Sequence, residues 1–244
     1  MNRGTQSTSY GTSDGVTKLF ILHGWTYEPG TTWAPLLTIL KERGLDHEFL
    51  AIPGLSDGTD PVWNIDDYVA WLKEKTAGYE KIILWGHSNG GRISMAFAVQ
   101  HPEKITRLIL EDSAGIPPSG LRKVKRSIFR AVAKIGGVIT QSDTLRTLLY
   151  KLIRENDYRR ATPNMRETMA NLVAFDVRTI LSKIVAPTLI IWGADDRTTP
   201  LSAGETLHRG IRGSRMTIID DARHSPHITH PERMAQLALD FISS

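Results

Sequence analysis

Ile82 to Gly91 reads IILWGHSNGG, and the helix-forming run Arg92-Ile93-Ser94-Met95-Ala96-Phe97-Ala98 follows without a proline. An apolar run with strand character therefore meets a glycine-rich turn and passes directly into a helix, with Ser88 at the apex. The pattern G-x-S-x-G in this setting is a nucleophile elbow. Its glycines carry no Cβ, so strand and helix approach closely while the serine is held in a strained, exposed conformation. The same pattern recurs in ordinary glycine-rich turns, and what raises Ser88 to a candidate nucleophile is the apolar strand before it and the helix after it.

Outward from the elbow, strand and helix patterns alternate. Towards the N-terminus, the apolar run Thr17–Leu22 ends in His23-Gly24 and suits a strand buried on both faces of a parallel sheet. Trp33–Arg43 has helical spacing and stops at Gly44, Glu48–Ile52 predicts a second strand, and Asp66–Lys75 predicts a helix. Towards the C-terminus, Arg92–Gln100 completes the elbow helix and Ile105–Leu110 predicts the next strand. Later come strands at Ala186–Trp192 and Met216–Ile219, a helix at Leu201–Arg209, and a closing helix at Pro231–Ile242 with proline in its first turn. Repeated strand–helix units imply an α/β fold, a mostly parallel central sheet flanked by helices. Ligands of such sheets bind beyond the carboxyl ends of the strands, where Ser88 sits.

Between Pro117 and Lys183 the alternation stops and the pattern predicts three or four helices. This segment holds 14 Lys or Arg against 5 Asp or Glu, so it is basic while the remainder of the chain is acidic. Arg122-Lys123-Val124-Lys125-Arg126 is its densest part. A basic amphipathic helix can contact a membrane surface or an acidic partner, but the reading preferred here is a solvated outer face. The segment lacks aromatic interleaving and any nucleic-acid motif, so no nucleic-acid role is expected. Three parts follow: a polar N-terminal arm over 1–16, an α/β core over 17–116 and 184–244, and a helical insertion over 117–183.

Composition narrows the chemistry. The 244 residues include no cysteine, which removes disulfides, thiolate nucleophiles and cysteine-based zinc sites and fits a cytoplasmic setting. Residues 1–17 contain no apolar signal-peptide region, and no run reaches 18 apolar residues, so neither a signal peptide nor a membrane span is expected.

A serine hydroxyl becomes an effective nucleophile near neutral pH only beside a positioned imidazole, which itself needs a carboxylate to fix its tautomer. Of the eight histidines, His224 follows the last strand within a few residues and lies at the correct end of the sheet. The acid is expected in the loop Gly193–Pro200, where Asp195 and Asp196 compete and spacing does not separate them. Asp112, after the preceding strand, is a third candidate. Oxyanion donors are expected from the main-chain N–H of Asn89, just after the nucleophile, and of Trp25, in the loop after the first core strand. His224, His227 and His230 are three apart, but Pro226 interrupts them, and no metal or other cofactor is expected.

Taken together, these residues resemble the α/β-hydrolase superfamily, in particular small serine esterase-like members with a helical cap. The resemblance runs from about Thr17 to Ile242 and rests on His23-Gly24, Gly86–Gly91, Gly193–Pro200 and His224 in that order. The family pattern G-x-x-D-x-x-x-P falls on Gly193, Asp196 and Pro200 and selects Asp196 over Asp195. It also implies that 117–183 is the cap, whose residues shape the substrate pocket. The family usually opens with an antiparallel strand pair, and the short polar stretch before Thr17 leaves room for a sheet lacking one or two of these strands. The activity implied is hydrolysis of small or medium acyl esters through an acyl-enzyme. Hydrolysis of acyl-homoserine lactones is the alternative, then carbon–carbon bond hydrolysis. A small-molecule receptor on a hydrolase scaffold is the reading outside catalysis. The partner implied is a small-molecule ester or lactone.

Overall fold

The computed structural model describes residues 17–56, 61–117 and 161–244. Six strands form one sheet: β1 (Lys18–Leu22), β2 (His47–Leu50), β3 (Ile82–His87), β4 (Ile105–Glu111), β5 (Thr188–Gly193) and β6 (Arg215–Ile219). Their order is β2-β1-β3-β4-β5-β6 and every neighbouring pair is parallel. The expected fold class is therefore observed, with no antiparallel strand among the described residues; the arm over 1–16 lies outside them. Strand β2 ends two residues before the expected Ile52. The helix expected from Trp33 begins at Pro29, because proline is tolerated in a first turn.

Side-chain alternation along the strands divides the core in two. Leu19, Ile21, Ile83, Trp85, Ile109, Leu189 and Ile191 face helix α1 (Pro29–Glu42) and the closing helix Pro231–Ile242. Phe20, Leu22, Ile82, Leu84, Leu108, Leu110, Ile190 and Trp192 face the other side, against α2 (Ile65–Lys75), α3 (Asn89–Gln100) and the helix Leu201–Gly210. Both faces of the sheet are covered, so a parallel arrangement leaves no apolar face in water. Helix α2 starts at a capping box in which the Asn64 side chain and Asp67 exchange hydrogen bonds with each other's backbone.

Within the segment read as a cap, the described residues form helix α4 (Pro163–Ala174) and two short 3-10 turns. Met169, Leu172, Val177 and Leu181 join the second core layer. Arg122–Arg126 and the rest of 118–160 lie outside the described residues. No helix among the described residues is long and apolar enough to cross a membrane.

Candidate active site

Ser88 links β3 to α3 with φ 52° and ψ −118°, outside the conformations open to most L-residues. Its backbone is held on both sides: its N–H donates to Glu111 O (3.1 Å), and its carbonyl accepts from Ala114 N–H (2.9 Å) and Arg92 N–H (3.2 Å). Close approach explains the flanking glycines. A Cβ on Gly86 would lie 2.6 Å from Gly90 O, and one on Gly90 would lie 2.6 Å from His23 O. A Cβ on Gly24 would lie 2.7 Å from Ser88 Cβ, so a third glycine, on a different strand end, also makes room for the elbow.

His224 follows β6 with its ring between two oxygens. Nε2 is 3.1 Å from Ser88 Oγ and Nδ1 is 2.8 Å from Asp196 Oδ2. Asp196 also accepts from the N–H groups of Thr198 (2.7 Å) and Thr199 (3.0 Å) at Oδ1, and from Thr199 Oγ1 (2.6 Å) at Oδ2. Burial raises its pKa, but the bonds to His224 and Thr199 outweigh burial and the carboxyl lies below its ordinary value. Asp195 is exposed, and its N–H donates to Ala222 O (3.0 Å), tying the acid loop to the histidine loop. The structure thus brings Ser88, His224 and Asp196 together and leaves Asp195 outside.

Asn89 opens α3, where the first N–H groups of a helix have no intrahelical partner and its dipole favours negative charge. Its side chain donates to Met169 Sδ of α4 (3.5 Å). Trp25 is half-buried in the loop after β1. That loop is anchored by His23, whose Nε2 accepts from Ile52 N–H (2.8 Å). Because Nε2 accepts, Nδ1 carries the proton and faces Gly24 O, and burial pushes the pKa down to about 4, keeping the ring neutral. Trp63, before α2, is tied to α4: its N–H donates to Thr168 Oγ1 (2.9 Å) and its carbonyl accepts from Asn171 Nδ2 (3.2 Å).

Behind the histidine lies a buried polar set that sequence reasoning missed. Glu111 Oε1 accepts from the N–H (3.0 Å) and Nδ1 (2.7 Å) of His227, and Oε2 accepts from Trp85 Nε1 (3.0 Å). The His227 ring stacks on Trp33 at 4.0 Å. His87 Nε2–H donates to His224 O (2.7 Å) and fixes the backbone of the histidine loop. Burial, with His227 close by, pushes the His87 pKa to about 3, so it stays a neutral donor. Thr199, His87 and Glu111 carried no sequence signal beyond their position at strand ends. His227 was noticed only for its spacing from His224 and His230, yet its Nδ1 is engaged by Glu111, and His230 is turned to Thr229 Oγ1 (2.8 Å).

Comparison with known proteins agrees with this architecture. A family model described as the alpha/beta hydrolase fold matches residues 42–231. The chain is 30% identical to a pimeloyl-[acyl-carrier protein] methyl ester esterase of Neisseria meningitidis serogroup C, covering 94% of each chain. It is 28% identical to a 2-hydroxy-6-oxononadienedioate/2-hydroxy-6-oxononatrienedioate hydrolase of Klebsiella pneumoniae, covering 94% of this chain and 88% of the relative. Among solved structures, a bromoperoxidase from Bacillus anthracis superposes with a TM-score of 0.71 at 21% identity, covering 96% and 93% of the two chains, a likeness of fold.

Proposed function

This chain belongs to the alpha/beta hydrolase fold family, and from that premise we propose that it is a serine hydrolase cleaving small or medium acyl esters. The observation that carries the proposal is the His224 ring, hydrogen-bonded at Nε2 to Ser88 Oγ (3.1 Å) and at Nδ1 to Asp196 Oδ2 (2.8 Å). Ser88 Oγ attacks the ester carbonyl as His224 Nε2 takes its proton. Asp196 holds Nδ1–H, which fixes the tautomer, and its negative charge stabilises the imidazolium. The N–H groups of Asn89 and Trp25 receive the oxyanion, each such donor contributing about 3 kcal/mol in the transition state. His224 then protonates the departing alcohol. Water, deprotonated by the same imidazole, cleaves the acyl-enzyme and releases the acid and Ser88.

The names of the relatives support an ester as substrate, and methyl esters of medium-length acids are the first choice. The Klebsiella pneumoniae relative, named for a carbon–carbon bond hydrolysis, supports that chemistry as the second reading. We assign 117–183 as the cap over this site. Met169 against Asn89, and Thr168 and Asn171 against Trp63, support the assignment from its described part.

A panel of methyl and chromogenic esters from acetate to decanoate, an acyl-homoserine lactone and a vinylogous diketone tests the proposal, run beside Ser88→Ala. Turnover of esters that falls at least about 1,000-fold in the variant is the expected result. Equal rates for the two proteins would sink the assignment of Ser88. Stoichiometric binding without turnover would point to a receptor instead.

A further inference from the structure

The end of β4 carries a second buried acid beside the histidine. Asp112 is fully buried and adopts φ 40°, a left-handed backbone uncommon for a non-glycine residue. Two bonds hold it there: its N–H donates to Ile191 O (3.0 Å) and its Oδ1 accepts from Gly193 N–H (2.8 Å), while its carbonyl lies 3.0 Å from Thr199 Oγ1, whose one proton serves Asp196 Oδ2 at the shorter distance of 2.6 Å. The result is a carboxyl whose Oδ2 is buried, meets no N–H or hydroxyl donor among the described residues, and faces the carboxyl of Asp196. A carboxylate oxygen of Asp112 lies within 4.8 Å of ring nitrogens of both His87 and His224. Thr199 Oγ1, which touches Asp112 through its carbonyl, is 3.2 Å from His224 Nδ1. The Asp112 carboxyl faces that of Asp196, whose Oδ2 is 2.8 Å from Nδ1, and so stands on the Nδ1 side of the ring.

We propose that Asp112 is a second positioning carboxyl for His224, able to take over the Nδ1–H from Asp196. The inference rests on the proposed role of His224 as base. The carboxylate lies within 4.8 Å of a His224 ring nitrogen, and one water can bridge such a gap: two hydrogen bonds of about 2.8 Å meeting at a tetrahedral angle reach about 4.6 Å. Truncating Asp196 to alanine vacates a carboxylate volume next to polar groups, where such a water is stable.

The charged and titratable groups facing Asp112 are Glu111 on its own strand, Asp196 after β5, His224 after β6 and His87 on β3. Burial first, and the charge of Asp196 second, raise the Asp112 pKa well above its ordinary value. With Asp196 in place, burial and that neighbouring charge therefore disfavour the ionised form of Asp112. Removing Asp196 removes one of the two carboxylates that oppose its ionisation.

The test is a double-mutant cycle of Asp196→Ala and Asp112→Asn, with thermal unfolding of each variant as a check on folding. Losing the acid of a triad whose tautomer then goes wrong costs about 10⁴-fold in kcat. D196A is expected to stay within about 100-fold of wild type, above D196N, whose amide sets a donor against Nδ1–H. Adding D112N to D196A should cost at least about tenfold more, several times its cost when Asp196 is present. The kcat/KM of D196A should rise with pH through an ionisation that the double variant lacks. A merely structural Asp112 would cost the same factor in both backgrounds, and that result would overturn the proposal.

A second readout needs no substrate: the proton resonance of His224 Nδ1–H, held through the bridging water to the Asp112 carboxylate and so slowed in exchange, should persist in D196A and vanish in D196A/D112N. Its absence from D196A would overturn the proposal even if esters are turned over. Its presence with no turnover on any substrate would leave Asp112 in place and remove the esterase reading.

Discussion

Glu111→Gln is an isosteric change with a calculable cost. The native carboxylate accepts three hydrogen bonds, two from His227 and one from Trp85 Nε1, and has no exposure to water. A glutamine amide has one oxygen and one NH₂ group. If the oxygen faces His227, the NH₂ meets the indole N–H of Trp85; if it is flipped, the NH₂ meets two donors of His227. Either way a buried donor faces a donor, which costs about 1–3 kcal/mol, more where a charge-assisted bond is lost. The electrostatics of the same contacts lead to a similar figure. Burial raises the Glu111 pKa, but the charge and hydrogen bonds of His227 overcome it and hold the group at about 2 against an ordinary 4.5. That difference corresponds to about 3 kcal/mol.

Because the folded pKa is the lower one, this stability is fully present above the unfolded value of 4.5 and is lost as pH falls through about 2. E111Q should therefore lower Tm at pH 7 by about 6–12 °C for a chain of this size. Thermal unfolding followed by circular dichroism at pH 7, 5, 4 and 3 would show the gap between wild type and variant closing on the acid side. A Tm loss under about 2 °C at pH 7, or a gap that does not shrink with acid, would refute the reasoning.

Three other perturbations separate the parts of the site. Thr199→Val removes the hydroxyl bonded to Asp196 Oδ2, and steady-state kinetics should show kcat lower by about tenfold with KM little changed, while Thr199→Ser should recover most of the loss. Gly24→Ala would set a Cβ 2.7 Å from Ser88 Cβ; displacing the nucleophile by a fraction of an ångström should cost about 100-fold in kcat, measured beside an unchanged circular dichroism spectrum. His87→Phe removes the donor to His224 O, and loosening of the histidine loop should appear as faster amide exchange at Ser225 to Ile228 and a several-fold lower kcat.

How much of this was legible in the sequence depends on the range of the interactions. Strand positions were legible because buried parallel strands are short apolar runs, such as LFIL at 19–22 and LIIW at 189–192, punctuated by glycine. The elbow was legible because close approach of backbones leaves a local record in Gly86 and Gly90. The choice of Asp196 over Asp195 needed either a family pattern or the structure, since adjacent side chains point apart and nothing local states which faces the histidine. Glu111, Thr199 and His87 were illegible for a stronger reason. The partners of Glu111 and His87 lie 116 and 137 residues away in the chain, so no periodicity or spacing encodes them, and Thr199, three residues from Asp196, is one of several polar residues in a loop whose turn alone decides which hydroxyl meets the carboxylate. Trp25 and Asn89 were expected by motif, since donors proposed to act through main chain leave no side-chain signature.

The two residues with left-handed backbones, Ser88 and Asp112, are related through the sheet. His87 on β3 pairs with Glu111 on β4, so Ser88 and Asp112 are the next residues of adjacent parallel strands, leaving the sheet side by side. Each strained conformation costs on the order of 1–3 kcal/mol and persists only where its surroundings over-determine it. Here they constrain one another: Ser88 N–H is held by the carbonyl just before Asp112, and Ser88 O by the N–H of Ala114, two residues after it. Relaxing either residue would break bonds that hold the other. One turn sets Oγ towards His224 Nε2, and the neighbouring turn sends the Asp112 carboxyl to the Nδ1 side of the same ring. The elbow is therefore half of a device, and the paired strand end is the other half, so Ala114→Pro, which removes the N–H that holds Ser88 O, should disturb Ser88 as much as substitutions in the glycines of its own motif.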